Sequence, residues 1–173
     1  YLINPPEIPP AIQIGSIGNL IFEGSDSNYA FSVANPEQLV NIAQTGGLHD
    51  VVNLPECVYG DKLLFLRAQT NTTFTYAEVI NDAYMASSNQ ATYLQDALSE
   101  QLAIIARMIK GGLGTKVYMV SLDGFDTHAN QVDKQRVLHE NLASGIKNFY
   151  EDLAIAGYDD KVLGMTISEF GRR

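Results

Sequence analysis

The feature that most constrains this chain lies between residues 116 and 168, where two apolar, β-rich stretches each empty into a polar loop and a long amphipathic stretch joins them. The first is Val117-Tyr118-Met119-Val120-Ser121-Leu122, running into Asp123-Gly124-Phe125-Asp126-Thr127-His128. The second is Lys161-Val162-Leu163-Gly164-Met165-Thr166-Ile167, running into Ser168-Glu169-Phe170-Gly171-Arg172-Arg173. A strand, helix, strand unit of this length makes parallel strands with a right-handed crossover, because tight turns join only antiparallel neighbours. Strands over 117–122 and 162–167 are therefore expected side by side, or separated by one strand, with 134–156 as the covering helix. Both polar loops then share the carboxyl edge of one sheet, where open α/β sheets bind ligands. The expected fold class is α/β, a parallel sheet flanked by helices.

The remaining pattern fills in the elements around this unit. Pro5, Pro6, Pro9 and Pro10 exclude early helix, and residues 1–34 read as irregular or extended, with short strands at Ala11-Ile12-Gln13-Ile14 and Leu20-Ile21-Phe22. Asn35-Pro36-Glu37-Gln38 is a helix start and Gly46-Gly47 its stop. From 61 to 87 the spacing is helical, but the polar, β-branched Asn71-Thr72-Thr73 interrupts it, so two helices and one broken helix both fit. Thr92 with Gln95 reads as a capping box for a helix that Gly111-Gly112 ends. The crossover helix carries Leu138, Leu142, Ile146, Phe149 and Leu153 on one face, with Gly157 near its stop. Such stripes are core. Residues 1–90 form a loop- and helix-rich part and 91–173 an α/β part, together one partial domain without a flexible linker.

Candidate chemistry concentrates in the two polar loops. Asp126 and His128 are one residue apart beyond a glycine, so in extended backbone both side chains point to one side and can converge on a cation. Carboxylate with imidazole suits Zn, Mn or Fe better than Ca. The competing reading has Asp126 or Thr127 capping the crossover helix, with His128 in solvent. Glu169 is a metal ligand, a general base or the ion-pair partner of Arg172, and Arg172 offers a planar fork to an anion. Asp123 and Glu169 are further candidates to complete a shell, which in catalytic zinc sites has about three protein ligands. With only two persuasive ligands, tight metal binding by this chain is not expected.

Other chemistries find little footing. Ser121 and Ser168 lack the G-x-S-x-G elbow. Gly111-Gly112-Leu113-Gly114 precedes a strand, so it reads as a helix stop and not as a dinucleotide loop. Cys57 is the only cysteine and is expected to be an inert buried thiol; His139 is expected at the surface. Asn71-Thr72-Thr73 also matches the glycosylation sequon. A formal charge of -9 without basic clusters argues against nucleic acid, and no apolar run reaches the roughly 20 residues of a membrane span. An anionic substrate would need a cation or an arginine pair to offset that field.

Gly124-Phe125-Asp126-Thr127-His128 with Gln131, then Phe149-Tyr150-Glu151-Asp152-Leu153, then Thr166-Ile167-Ser168-Glu169-Phe170-Gly171-Arg172 resembles the bacterial family called domain of unknown function 1501. The likeness runs from about Leu94 to the end, with the Pro-Pro-Ala-Ile-Gln-Ile opening similar to the family's middle region. It implies an alkaline-phosphatase and sulfatase-like sheet with metal ligands on loops at the strand ends. It places Asp126 and His128 at metal-ligand positions, for Zn or Mn before Ca, and Glu169 at a site-lining one. It further implies a small anionic ester as substrate and an extracytoplasmic location, in periplasm or cell envelope. The sequence departs from the family pattern in Phe125, where Trp is frequent, and in lacking both a leading Arg-Gly-Gly-type loop and a trailing Gly-Thr-Asp-His-Gly motif. The expectation is a piece of a longer metal-dependent hydrolase of phosphate or sulfate esters, inactive by itself, with its nucleophile outside this chain. The alternative is a non-catalytic envelope protein that keeps the fold for binding or assembly.

Overall fold

Ile12 and the residues around it explain the centre of the molecule. Ala11-Ile12-Gln13-Ile14 is buried at every position, as a strand covered on both faces must be, and it forms the middle strand of a parallel sheet. In the computed structural model, which describes residues 6–15, 20–24 and 30–168, this strand β1 (Ala11–Ile14) lies between β2 (Ala30–Val33) and β3 (Val117–Met119). Ala11 pairs with Ala30 on one side and Val117 on the other, and both ladders are parallel. Thr115 fixes the entry to β3 by donating its hydroxyl to the Pro9 carbonyl at 2.8 Å. Removing Ile12, Ile14 and Val33 from water contributes about 1.5–3 kcal/mol for each side chain.

Four helices surround this sheet: α1 (Pro36–Thr45), α2 (Val58–Met85), α3 (Ala97–Lys110) and α4 (Gln131–Ile155). Leu39, Ala77, Ile80, Leu102, Ile105, Met108, Phe149 and Leu153 join the strand residues in one core cluster. The expected α/β class with a parallel sheet and flanking helices is what forms. No helix among the described residues is long and apolar enough to cross a membrane.

Several local expectations change. Residues 58–85 make one unbroken helix, within which the Thr70, Thr72 and Thr73 hydroxyls donate to carbonyls four residues back and so have partners without leaving the helix. Asn71 bonds outward instead, accepting from the His49 N–H at 2.7 Å and donating to its carbonyl at 2.9 Å, so the sequon lies inside a helix with its amide engaged. Leu20–Phe22 is a single 3-10 turn, while Ala30–Val33 supplies the strand. Cys57 is exposed at the start of α2, not buried.

The start of α3 moves from Thr92 to Asp96. The Asp96 carboxylate accepts from the Leu98 and Ser99 N–H groups and from the Ser99 hydroxyl, a charged acceptor stronger than a threonine hydroxyl. The residues before it are held out of the helix by Asp152 of α4. This carboxylate is fully buried and meets Lys110 Nζ at 2.8 Å, the Gln90 and Ala91 N–H groups, and the Tyr93 hydroxyl at 3.2 Å. Arg107, one turn before Lys110, donates to the Tyr84 and Ser87 carbonyls and stacks on the Tyr84 ring. Gly111 then touches Ala83 so closely that a Cβ would run into its carbonyl oxygen. The corner between α2 and α3 admits no side chain there.

The second predicted strand does not form. Residues 162–168 carry no regular structure, and Leu163, Met165 and Ile167 are 95%, 83% and 61% exposed. β3 is only three residues long, so its ladder offers few bonds, and the segment is caught by α4 instead. Tyr150 Oη accepts from the Gly164 N–H at 2.7 Å and donates to the Val162 carbonyl at 3.2 Å.

Burial alone raises the Asp152 pKa, but Lys110 and the two backbone donors outweigh it, and the group lies below its ordinary value. A depressed carboxyl contributes stability that is present above the unfolded value of about 3.9 and lost as pH falls through the folded one. Asp152→Ala is expected to cost about 3–5 kcal/mol in urea unfolding at neutral pH, because it leaves the Lys110 ammonium buried without its partner. In acid titrations followed by circular dichroism, Asp152→Asn loses the share of acid sensitivity that wild type shows below pH about 4. Wild-type stability in Asp152→Ala would show that the network adds nothing.

Candidate functional site

The loop from 120 to 130 leaves the carboxyl end of β3 and enters α4. Its first residues are pinned to α3: the Ser121 N–H donates to Gln101 Oε1 at 3.2 Å, and Gln101 Nε2 approaches the Ser121 carbonyl at 3.5 Å. Gly124 turns the chain at φ +99°, a conformation other residues rarely adopt. From there, alternation governs. The Phe125 ring packs edge-on against His139 of α4, with centroids 5.6 Å apart, and the Thr127 hydroxyl is buried without a hydrogen-bond partner. Asp126 and His128 face the other way.

Those two side chains meet, as the spacing predicts. His128 Nδ1 lies 3.5 Å from Asp126 Oδ1, and the side chains are 84% and 82% exposed. At that distance the contact is a weak hydrogen bond at best. It leaves the remaining carboxylate lone pairs and the other imidazole nitrogen to an incoming group. Neither residue caps α4. That helix begins at Gln131 after Asn130, whose backbone is left-handed at φ 52° and ψ 43°, and no side chain satisfies its first turn.

Asp123 is exposed in the same loop. Among the described residues no group of three His, Cys, Asp or Glu side chains is placed to hold a metal ion. Asp126 and His128 fit a divalent cation by donor chemistry, as two members of a shell that needs more. Glu169 and Arg172 lie outside the described residues. His139 is at the surface, as expected. An open groove of ≈ 730 Å³ lies elsewhere, lined by Tyr84, Asn89, Glu100 and Arg107 among others; the Arg107 guanidinium is committed to the Tyr84 and Ser87 carbonyls.

Residue reading missed the groups that hold this loop in place. Asp152 carried a signal, since it sits three residues after Phe149 and next to Leu153, on the stripe that faces the core. A carboxylate on such a stripe requires a buried partner. The Gln101 contact to Ser121 has no sequence signature, because it joins side chain to backbone across 20 residues.

Gly124→Ala is expected to cost about 1–2 kcal/mol. The cost is in the backbone, not in packing, since the nearest atoms to an added Cβ are Leu138 methyls at 3.6 and 3.8 Å. A urea unfolding midpoint equal to wild type would show that the loop relaxes freely to negative φ.

No curated protein and no solved structure matches this chain. Residues 68–173 match the family described as protein of unknown function, DUF1501. The match spans more than half of the sequence and takes in α3, β3, the Asp126 and His128 loop and α4. The chain belongs to the DUF1501 family.

Proposed function

We propose that this chain is part of a metal-dependent hydrolase of phosphate or sulfate esters, related to the alkaline phosphatases and sulfatases and acting outside the cytoplasm. The observation that supports this reading most directly is the side-by-side placement of Asp126 and His128 on a loop at the carboxyl end of a parallel strand. Neither side chain is used by the fold, since helix capping and core packing proceed without them. A divalent metal held there, zinc or manganese before calcium, supplies Lewis-acid polarisation of an ester oxygen.

The chain's own residues have simpler tasks. Asp126 would offer carboxylate oxygen and His128 imidazole nitrogen to the cation, and Asp123 is near enough in sequence to extend the set. Glu169 and Arg172, outside the described residues, are assigned from sequence alone: a carboxylate to serve as ligand or base, and a planar guanidinium fork suited to the anionic group of the ester. With a net charge of -9, the protein repels small anions unless such local positive charge receives them. The second reading, a non-catalytic envelope protein, draws on the two-donor set among the described residues.

The full-length protein separates the two. Asp126→Ala and His128→Ala are each expected to lower bound metal, read by elemental analysis, and hydrolysis across a panel of phosphate and sulfate esters by about 10–100-fold or more. Melting temperature stays near wild type, because neither side chain fills core volume. Glu169→Gln lowers turnover without changing melting temperature if Glu169 serves the site, and leaves turnover intact if it only pairs with Arg172. Wild-type metal content in both alanine variants would refute the metal assignment, and absence of turnover in a metal-loaded wild type would favour the binding protein.

A further inference from the structure

The groove that Arg107 lines opens at the carboxyl edge of the sheet. Ala34 and Asn35, which leave β2, form one wall, and the ladders on both sides of β1 are parallel. Glu100, Ala103, Ile104 and Arg107, one face of α3, form the other. Asn89 ties the end of the groove to α3 by donating its Nδ2 to the Ala103 carbonyl at 3.2 Å. The volume of ≈ 730 Å³ falls within the roughly 300–1,000 Å³ of small-ligand sites.

Charge points to the occupant. Arg107 is partly buried and meets no carboxylate among the described residues: its Nε and Nη2 donate to backbone carbonyls, and its Nη1 has no partner there. The guanidinium stacks on the Tyr84 ring at 3.5 Å, so the group is held in place while its charge is unanswered. Glu100, at the other end of the same face, is exposed and pairs with no cation among the described residues. Seven residues of α3 separate the two, a rise of about 10 Å, with Ala103 and Ile104 between them.

We propose that this groove binds a short, peptide-like zwitterion laid along α3, its carboxylate on Arg107 and its ammonium on Glu100. Three residues of extended chain span about 10 Å, which matches the separation of the two charges, and a single amino acid is too short to reach both. A ligand carrying both charges is neutral as a whole, so the field of a chain at -9 does not exclude it, whereas a simple anion meets that field and Glu100 together. Carboxylate is a partner that the planar guanidinium fork is shaped to receive. The inference does not rest on the hydrolase reading, because neither Asp126 nor His128 takes part.

Triglycine is the probe, titrated into the full-length protein and followed by amide chemical shifts and calorimetry. The Ser88, Asn89 and Ala103 amides are expected to shift and saturate. N-acetyltriglycine, which lacks the ammonium, triglycinamide, which lacks the carboxylate, and glycine, which lacks the length, are each expected to bind about 10-fold or more weakly. Glu100→Gln, at an exposed position, is expected to weaken triglycine by a similar factor and to leave N-acetyltriglycine unchanged. No saturable shift with triglycine, or equal binding of either capped form or of glycine, would overturn the proposal. Wild-type affinity for triglycine in a folded Glu100→Gln variant would overturn it as well. Should that variant not fold, the capped peptides on the wild-type protein decide the matter by themselves.

Discussion

The buried Asp152 carboxylate is the interaction on which the α4 side of this molecule depends. Taking a carboxylate and an ammonium out of water costs several kcal/mol for each ion, and the cost is recovered only where donors surround the charge. Here Lys110 comes from the last turn of α3, two N–H groups and a phenol come from residues 90–93, and the acceptor comes from α4. Burial and the neighbouring Asp152 charge push the Tyr93 phenol pKa far up, so it remains a donor at any ordinary pH. The network therefore joins three segments at a single point. Gly145 brings α4 close to α3 nearby, within 3.3–3.5 Å of Leu102, Leu98 and Ser99 for an added Cβ.

The loop inherits its position from that helix. Phe125 leans on His139 of α4, Gly124 passes Leu138 of α4, and Ser121 is held by Gln101 of α3. With those contacts fixed, strand-like alternation leaves Asp126 and His128 with one direction to point, away from both helices and into solvent. Their exposure is thus a product of the packing beneath them. The donors themselves stand on a loop, and what the two helices anchor is the backbone on its β3 side, through Ser121, Gly124 and Phe125.

The parts of this fold that follow from local pattern were legible in the sequence. Pro36 with Gly46 bracketed α1, Gly111 and Gly157 ended α3 and α4, and Ala11–Ile14 read as a short strand, though its central place in the sheet did not show. The pairing of Asp126 with His128 followed from period-two geometry. What failed depended on partners distant in sequence. Asn71 looked like a helix breaker until His49 took up its amide, and Thr92 looked like a cap until Asp152 drew its neighbours away. The run at 162–167 has the composition of a strand, yet a strand exists only where an edge accepts it, and Tyr150 captured its backbone. Capping of α4 by Asp126 or Thr127 failed because Asn130 adopts the left-handed turn that starts the helix.

The central claim is that Asp126 and His128 act together as a cation-binding element, and the histidine ring reports on it directly. The chain has 3 histidines, and His49 and His139 serve as internal references. In a zinc titration of the full-length protein followed by imidazole nitrogen chemical shifts, His128 is expected to shift and saturate before His49 and His139, and Asp126→Ala is expected to weaken that response while leaving the His49 and His139 rings unchanged. His49, His128 and His139 responding alike, or a His128 response indifferent to Asp126→Ala, would contradict the claim.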